Sequence, residues 1–108
     1  MSEQTKVIFS VVIPTYERPS ELRVCLNSLS ESFQRKSPPY EIIVTDDSKS
    51  EETKRVVEKE FSNVFWGKGK QNGPAGNRNA GVERARGKWL VFLDDDCIAD
   101  KGYINAYH

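Results

Sequence analysis

Trp89-Leu90-Val91-Phe92-Leu93-Asp94-Asp95-Asp96 is the stretch on which the fold of this chain turns. Five consecutive apolar residues predict a strand buried on both faces, as strands inside a parallel sheet are. Three carboxylates follow without a break. Adjacent like charges repel and cannot be buried unpaired, so they face water, a cation or both. In an open α/β sheet, ligands bind at the carboxyl ends of the strands. The stretch therefore predicts acidic oxygens delivered to the rim of a site. A hard divalent cation could lie there between the carboxylates and a phosphate-bearing ligand. A solvated acidic turn that merely ends the strand is the plainer alternative.

Working outward, the same pattern recurs. Lys6 to Pro14 is nearly continuous in β-branched and aromatic residues and predicts a central strand, stopped by Pro14. Thr15-Tyr16-Glu17-Arg18 is then a loop at that strand's carboxyl end. Pro19 suits the first position of a helix, and Leu22, Leu26, Leu29 and Phe33 lie on one helical face. Cys25, beside that face, reads as a small core residue. Ser37-Pro38-Pro39 breaks the helix. Tyr40 to Thr45 predicts a second buried strand, again ending in carboxylates, Asp46 and Asp47. Ser48 and Glu51 have the spacing of a capping box, with Val56, Val57 and Phe61 on the buried face of the helix it opens. Asn63 to Trp66 predicts a weaker strand, followed by the loop Gly67 to Gly73. Pro74 begins a helix whose Ala75, Gly76, Ala80 and Gly81 leave small surfaces for close packing. Gly87 is expected to end it as a left-handed cap. Beyond the triple aspartate, Asp100 is expected to cap a last helix through Tyr103, Ile104 and Tyr107.

Strands alternating with helices imply a parallel sheet with helices on both faces, an α/β/α sandwich. A length of 108 residues suits one small domain, 1–108. The formal net charge of zero argues against a nucleic-acid partner. No apolar run is long enough to span a membrane, and the polar start lacks a signal-peptide core. Two cysteines suggest a reducing compartment, so the expected location is cytoplasmic, extending to the inner face of the membrane.

Chemistry collects on the loops of one sheet edge, at Thr15 to Arg18, Asp46 to Ser48 and Asp94 to Asp96. Asn77, Arg78 and Asn79 join them from the first turns of the helix at Pro74. An Asp at a strand end can accept a base N–H, and the planar fork of Arg78 suits a carboxylate or a phosphate. A helix cap at Asp46 or Asp47 and a surface arginine at position 78 are the bland alternatives. Other α/β sites are excluded. No G-x-G-x-x-G follows the first strand, and neither a phosphate loop G-x-x-x-x-G-K-[ST] nor a G-x-S-x-G elbow is present. The acidic pair follows the second strand, unlike that of a receiver domain. His108, the single histidine, is the last residue.

Ser10-Val11-Val12-Ile13-Pro14-Thr15-Tyr16-Glu17-Arg18 resembles the opening strand and loop of family 2 glycosyltransferases. Val44-Thr45-Asp46-Asp47-Ser48 resembles their second strand and acidic pair. Asn72 to Gly81 is similar to their Gly…Ala-Arg-Asn-x-Gly element, and Leu90 to Asp96 to the strand leading into the Asp-x-Asp motif. The resemblance implies a GT-A fold with a Rossmann-like nucleotide-binding half. It implies a nucleotide-sugar donor, commonly UDP-linked. Pro14, Thr15, Tyr16 and Glu17 would form the nucleoside loop, with Asp47 reading the base and Arg78 near base and diphosphate. Asp94 and Asp95 would sit near ribose and sugar, with Asp96 the principal ligand of Mn²⁺ or Mg²⁺. Glu17 stands where Asn is common, Cys97 where a further Asp is frequent, and Asp100 where proline often follows. The family's acceptor-binding half and general base are expected outside these residues. The expectation is thus a donor-binding half acting on a glycan or lipid acceptor, or a binding module that takes nucleotide or protein without transfer. Apolar surface left by a missing half is expected to drive self-association.

Overall fold

The computed structural model describes residues 7–30, 34, 39–100 and 102–104. Among them strand and helix alternate as β1 (Phe9–Thr15), α1 (Pro19–Ser28), β2 (Tyr40–Asp46), α2 (Glu52–Glu60), β3 (Phe65–Lys68), α3 (Pro74–Arg84) and β4 (Trp89–Phe92). The strands form one parallel sheet in the order β3-β2-β1-β4. Lys6, Phe33, Ser37, Pro38 and Tyr107, which the sequence assigns to elements or breaks, lie outside the described residues.

Alternation along β1 sorts its side chains onto two faces. Phe9, Val11 and Ile13 join Ile42 and Val44 of β2 in the core under Leu22, Cys25 and Leu26 of α1. Val12 and Thr45 point the other way, beneath α3. A Cβ on Gly81 would collide with Val12 Cγ1 and lie 3.4 Å from Thr45 Cγ2. Glycine inside a helix costs about 1 kcal/mol relative to alanine; here it lets α3 lie directly on the sheet. The chain steps outward from β1 to β2 to β3, then returns across the sheet to place β4 on the free side of β1. The direction of winding therefore reverses between β1 and β4, and such a reversal opens a crevice at the carboxyl edge.

The expected Trp89–Leu93 core strand is corrected by this order. Among the described residues β4 lies at the edge of the sheet, paired on one side with β1. Val91 and Leu93 reach the core, but Trp89, Leu90 and Phe92 are 56%, 41% and 47% exposed. The physical reason is coverage: α3 lies over β1 and β2. β3 is shifted two residues from the expected Asn63–Trp66, because Gly67 and Lys68 pair with Thr45 and Asp46, while Val64 closes a turn onto Phe61. Gly87 is not a left-handed cap. The helix ends earlier, with Ala85 as its extended C-cap, and Gly87 instead donates its N–H to Ser10 Oγ at 2.7 Å. The capping box is also absent: Glu51 is the N-cap of α2 and makes no side-chain cap bond, because Ser48 Oγ already accepts the Glu17 N–H at 2.6 Å. Asp100 Oδ1 accepts the Gly102 N–H at 3.0 Å, yet residues 102–104 form a turn and no helix follows β4 among the described residues.

At the amino edge of the sheet, Glu41 fastens the α3–β4 connection. Its carboxylate accepts Ser10 Oγ–H at 2.6 Å, Arg86 N–H at 2.7 Å and Arg86 Nε–H at 3.0 Å. Burial alone would raise the Glu41 pKa; the bonds from Ser10 and Arg86 outweigh it and hold the carboxyl below its ordinary value. This edge is devoted to stability, which leaves the opposite edge for chemistry.

Candidate nucleotide-binding cleft

A cleft of about 570 Å³ opens at the carboxyl edge, within the size range of small-ligand sites. Pro14, Thr15 and Tyr16 line it from the end of β1, Asp47 from the end of β2, and Asp94 and Asp95 from the end of β4. Arg78 enters from the first turns of α3. Apart from Glu17, the residues that the sequence offers for nucleotide-sugar binding thus share one cleft. Glu17 has a φ of 52°, and its carboxylate turns to Lys49 N–H at 2.8 Å and Ser50 Oγ–H at 2.8 Å. These bonds, that from the Ser50 hydroxyl foremost, hold its pKa below the ordinary value. Glu17 braces the loop after β1 against the loop after β2.

The two aspartates ending β2 divide the work. Asp46 is buried and partnered on both oxygens, accepting Ser48 N–H at 2.9 Å on one and Trp66 Nε1–H at 2.9 Å on the other. Asp47 faces the cleft. Its Oδ1 accepts Gln71 N–H at 2.9 Å and its carbonyl accepts Gln71 Nε2–H at 2.9 Å, fixing the loop that leads to α3. A Cβ on Gly69 would strike both Asp47 Oδ1 and Asn77 Oδ1, so a glycine is needed where that loop crosses.

At the reversal point, Thr15 Oγ1–H donates to Asp95 Oδ2 at 2.8 Å across the β1–β4 seam. Arg18 spans the next gap, with Nε 3.3 Å from Asp95 Oδ1 and NH2 3.3 Å from Asp96 Oδ2. The Asp95 side chain is only 12% exposed. Burial pushes its pKa up, against the opposing pull of the Thr15 hydroxyl and the Arg18 charge. The first and third aspartates remain exposed. Ligand atoms of Asp94, Asp96 and Cys97 lie within 4.8 Å of one another, a spacing at which one cation could touch all three. Two carboxylate oxygens suit a hard divalent ion, whereas the thiol is the softer member of the set. Asp96 therefore fits the metal role that the resemblance implies, with Asp94 and Cys97 as neighbours.

Two contacts give no signal in neighbouring residues. Arg18 reads in the sequence as the end of a loop, although a cation four residues beyond Pro14 faces the carboxylates of the adjacent strand. Asn77 is expected at this edge, but not its use. It is buried and donates Nδ2–H to Thr15 O at 3.2 Å, tying the start of α3 to the end of β1. Its Oδ1 has no partner among the described residues.

Comparison with known proteins identifies the family and supports the fold. The model of glycosyl transferase family 2 matches residues 10–106. The chain is 38% identical over 93 residues to the GalNAc(5)-diNAcBac-PP-undecaprenol beta-1,3-glucosyltransferase of Campylobacter jejuni, covering 81% of this chain and 29% of that protein. It is 33% identical over 98 residues to the poly(ribitol-phosphate) beta-N-acetylglucosaminyltransferase TarS of Staphylococcus aureus, covering 86% of this chain and 17% of that protein. The crystal structure of S. aureus TarS 1-349 in complex with UDP-GlcNAc superposes with a TM-score of 0.79 at 30% identity, over 94% of this chain and 30% of that one. The chain spans less than a third of the length of these relatives. Because the family match runs from β1 through every loop that rims the cleft, this chain belongs to glycosyl transferase family 2 and has its GT-A fold.

Proposed function

We propose that the cleft binds a nucleoside diphosphate sugar, with uridine as its nucleoside, and that the whole protein transfers the sugar to an acceptor hydroxyl. The observation that carries this reading is the meeting of Thr15, Asp47, Arg78 and the Asp94–Asp96 triplet at one sheet edge, at the point where the winding reverses. The likeness to TarS bound to UDP-GlcNAc supports the uridine donor. Pro14, Thr15 and Tyr16 form the nucleoside wall, and the exposed ring of Tyr16 offers a stacking face. Glu17 holds that wall in place. Asp47 accepts the base N–H. Arg78 pairs with the diphosphate by charge-assisted bonds. Asp94 and Asp95 face ribose and sugar, and Asp96 is the principal ligand for Mn²⁺ or Mg²⁺. Held by Asp96, a divalent cation would supply positive charge to offset that of the nucleoside diphosphate leaving group. No residue of this chain is assigned as the acceptor's general base.

The acceptor is placed in the glycan or lipid class, as the PP-undecaprenol in the name of the C. jejuni relative suggests. Two free cysteines support a cytoplasmic setting, with peripheral contact at the inner membrane face following from a lipid-linked acceptor. Among the described residues no helix is long and apolar enough to cross a membrane. Calorimetric titration of UDP in the presence of Mn²⁺ tests the donor site. Binding in the wild type that disappears without metal and in Asp96→Ala is expected. Equal binding of UDP by both proteins would refute the metal role, and no binding would favour the reading as a protein-binding module.

Self-association is proposed at β4. Its outer edge has no strand partner among the described residues, and Leu90 and Phe92 stand exposed on it. Natural edge strands carry lysine, proline or a bulge against such pairing; Trp-Leu-Val-Phe carries none. A second copy pairing antiparallel about Val91 would set Leu90 against Phe92 of its partner, in both directions. Sedimentation should show dimers of the wild type and monomers of Leu90→Lys. A monomeric wild type at high concentration would refute it.

A further inference from the structure

Three adjacent carboxylates at a strand end need a counter-charge, and among the described residues Arg18 is the side chain that supplies it. It is ion-paired to both Asp95 and Asp96 at 3.3 Å. Its backbone is anchored, since Arg18 is the N-cap residue of α1 and its carbonyl accepts the Leu22 N–H at 3.0 Å. The neighbouring Glu17 is pinned to the loop after β2. The two salt bridges are unequal: Asp95 is 12% exposed and also holds the Thr15 hydroxyl, whereas Asp96 is 55% exposed and open to solvent. Arg18 itself is 45% exposed and lines the cleft beside Thr15 and Tyr16. Its guanidinium thus lies between the proposed nucleotide wall and the proposed metal ligand.

We infer that Arg18 is a built-in counter-cation that makes metal and diphosphate bind together rather than separately, an inference that rests on the donor-site reading above. Without a metal, Arg18 neutralises Asp96 and keeps the triplet from repelling itself apart. When Asp96 turns to a divalent cation, Arg18 keeps its Nε contact with the buried Asp95 and frees its NH2 edge. Arg18 lines the cleft, where a diphosphate oxygen is the charged acceptor its freed fork fits best. Metal alone must therefore displace Arg18 from Asp96 and is bound weakly. Metal with diphosphate gives Arg18 a replacement anion and is bound well. By linkage, each ligand raises affinity for the other by the same factor. Arg18 thus has two opposed effects on binding, and the opposition separates this role from simple support of the loop.

Mn²⁺ binding followed by electron paramagnetic resonance, and UDP binding followed by calorimetry at saturating Mn²⁺, test the inference on wild type, Arg18→Gln and Arg18→Lys. Thermal unfolding checks that each variant is folded. Removing the two partly exposed ion pairs in Arg18→Gln should tighten Mn²⁺ alone by about fivefold. The same change should weaken UDP with Mn²⁺ by about tenfold, through loss of a charge-assisted phosphate bond. Arg18→Lys keeps the charge without the fork and should fall between the two on both measures. A wild type that binds both ligands while Arg18→Gln binds them equally well overturns this inference and leaves the donor site standing. Loss of both affinities in a folded Arg18→Gln also overturns it, since that is the result of structural support. A wild type that binds neither Mn²⁺ nor UDP overturns the inference together with the donor-site reading.

Discussion

Thr15→Val removes one hydroxyl from the β1–β4 seam and replaces it with a methyl of similar size on a strand that favours valine. The lost bond runs from Thr15 Oγ1 to Asp95 Oδ2 at 2.8 Å between two buried residues. A hydrogen bond to a charged acceptor contributes about 1.5–3 kcal/mol, and one to a neutral acceptor about 0.5–1.5 kcal/mol. The cost therefore depends on whether Asp95 is ionised. Burial raises its folded pKa above the ordinary 3.8. A raised carboxyl pKa disfavours folding increasingly as pH climbs from the unfolded value through the folded one. The Thr15 bond opposes that rise, so its removal lifts the folded pKa further and widens the penalty at neutral pH. Thr15→Val should lose about 2 kcal/mol at about pH 7.5, or about 10 °C in Tm for a chain of this size. At about pH 3.5, below the raised pKa of Asp95, the loss should shrink towards about 1 kcal/mol. Circular-dichroism melts at the two pH values, repeated in an Asp95→Asn background, read this directly. Equal losses at both pH values would refute the coupling. So would an undiminished loss in the Asp95→Asn background, where the acceptor is neutral at every pH.

Other expectations follow from single contacts. Gly81→Ala gains about 1 kcal/mol of helix propensity but drives a Cβ into Val12 Cγ1, an overpacking that costs about 1–3 kcal/mol; urea unfolding should show net destabilisation, and a stabilised variant would contradict the close approach of α3. Native thiol labelling should reach the half-buried Cys97 and spare Cys25, whose pKa burial pushes up to about 12; equal rates would contradict the burial of Cys25. Glu41 has a folded pKa below its ordinary 4.5, so it contributes stability above that value that is lost as pH falls through the folded pKa; Glu41→Gln should flatten the acid limb of the stability profile, and an unchanged limb would show the Ser10 and Arg86 bonds to be idle.

The architecture is legible wherever a local pattern and its tertiary use coincide. The β-branched run of β1, the Pro19 and Pro74 helix starts, and carboxylates at the ends of β2 and β4 are written in neighbouring residues. Thr15, Asp47 and Asp94 converge because parallel strands present all their carboxyl ends to one edge, and Arg78 joins them from the first turns of α3. What fails depends on residues far apart in the chain. Five apolar residues at Trp89–Leu93 look the same at the centre of a sheet and at its rim; strand order, not composition, puts β4 at the edge. Ser48 has the spacing of a cap but is taken by Glu17, 31 positions away. Gly87 has the look of a helix stop but serves a close approach to Ser10 and Phe9. The contacts of Arg18 and Asn77 are invisible locally for the same reason, since Asp95 and Thr15 are brought to them only by the fold.

The central claim is that one cleft at the β1–β4 reversal holds a uridine diphosphate against Asp47 and Arg78 and a divalent cation against Asp96. Crystals grown with UDP and Mn²⁺ and measured at the manganese absorption edge test it most directly. The account predicts one anomalous peak at bonding distance from an Asp96 oxygen, with the uracil within hydrogen-bonding reach of Asp47. A manganese peak away from the triplet, or a nucleotide bound outside the cleft, would contradict it.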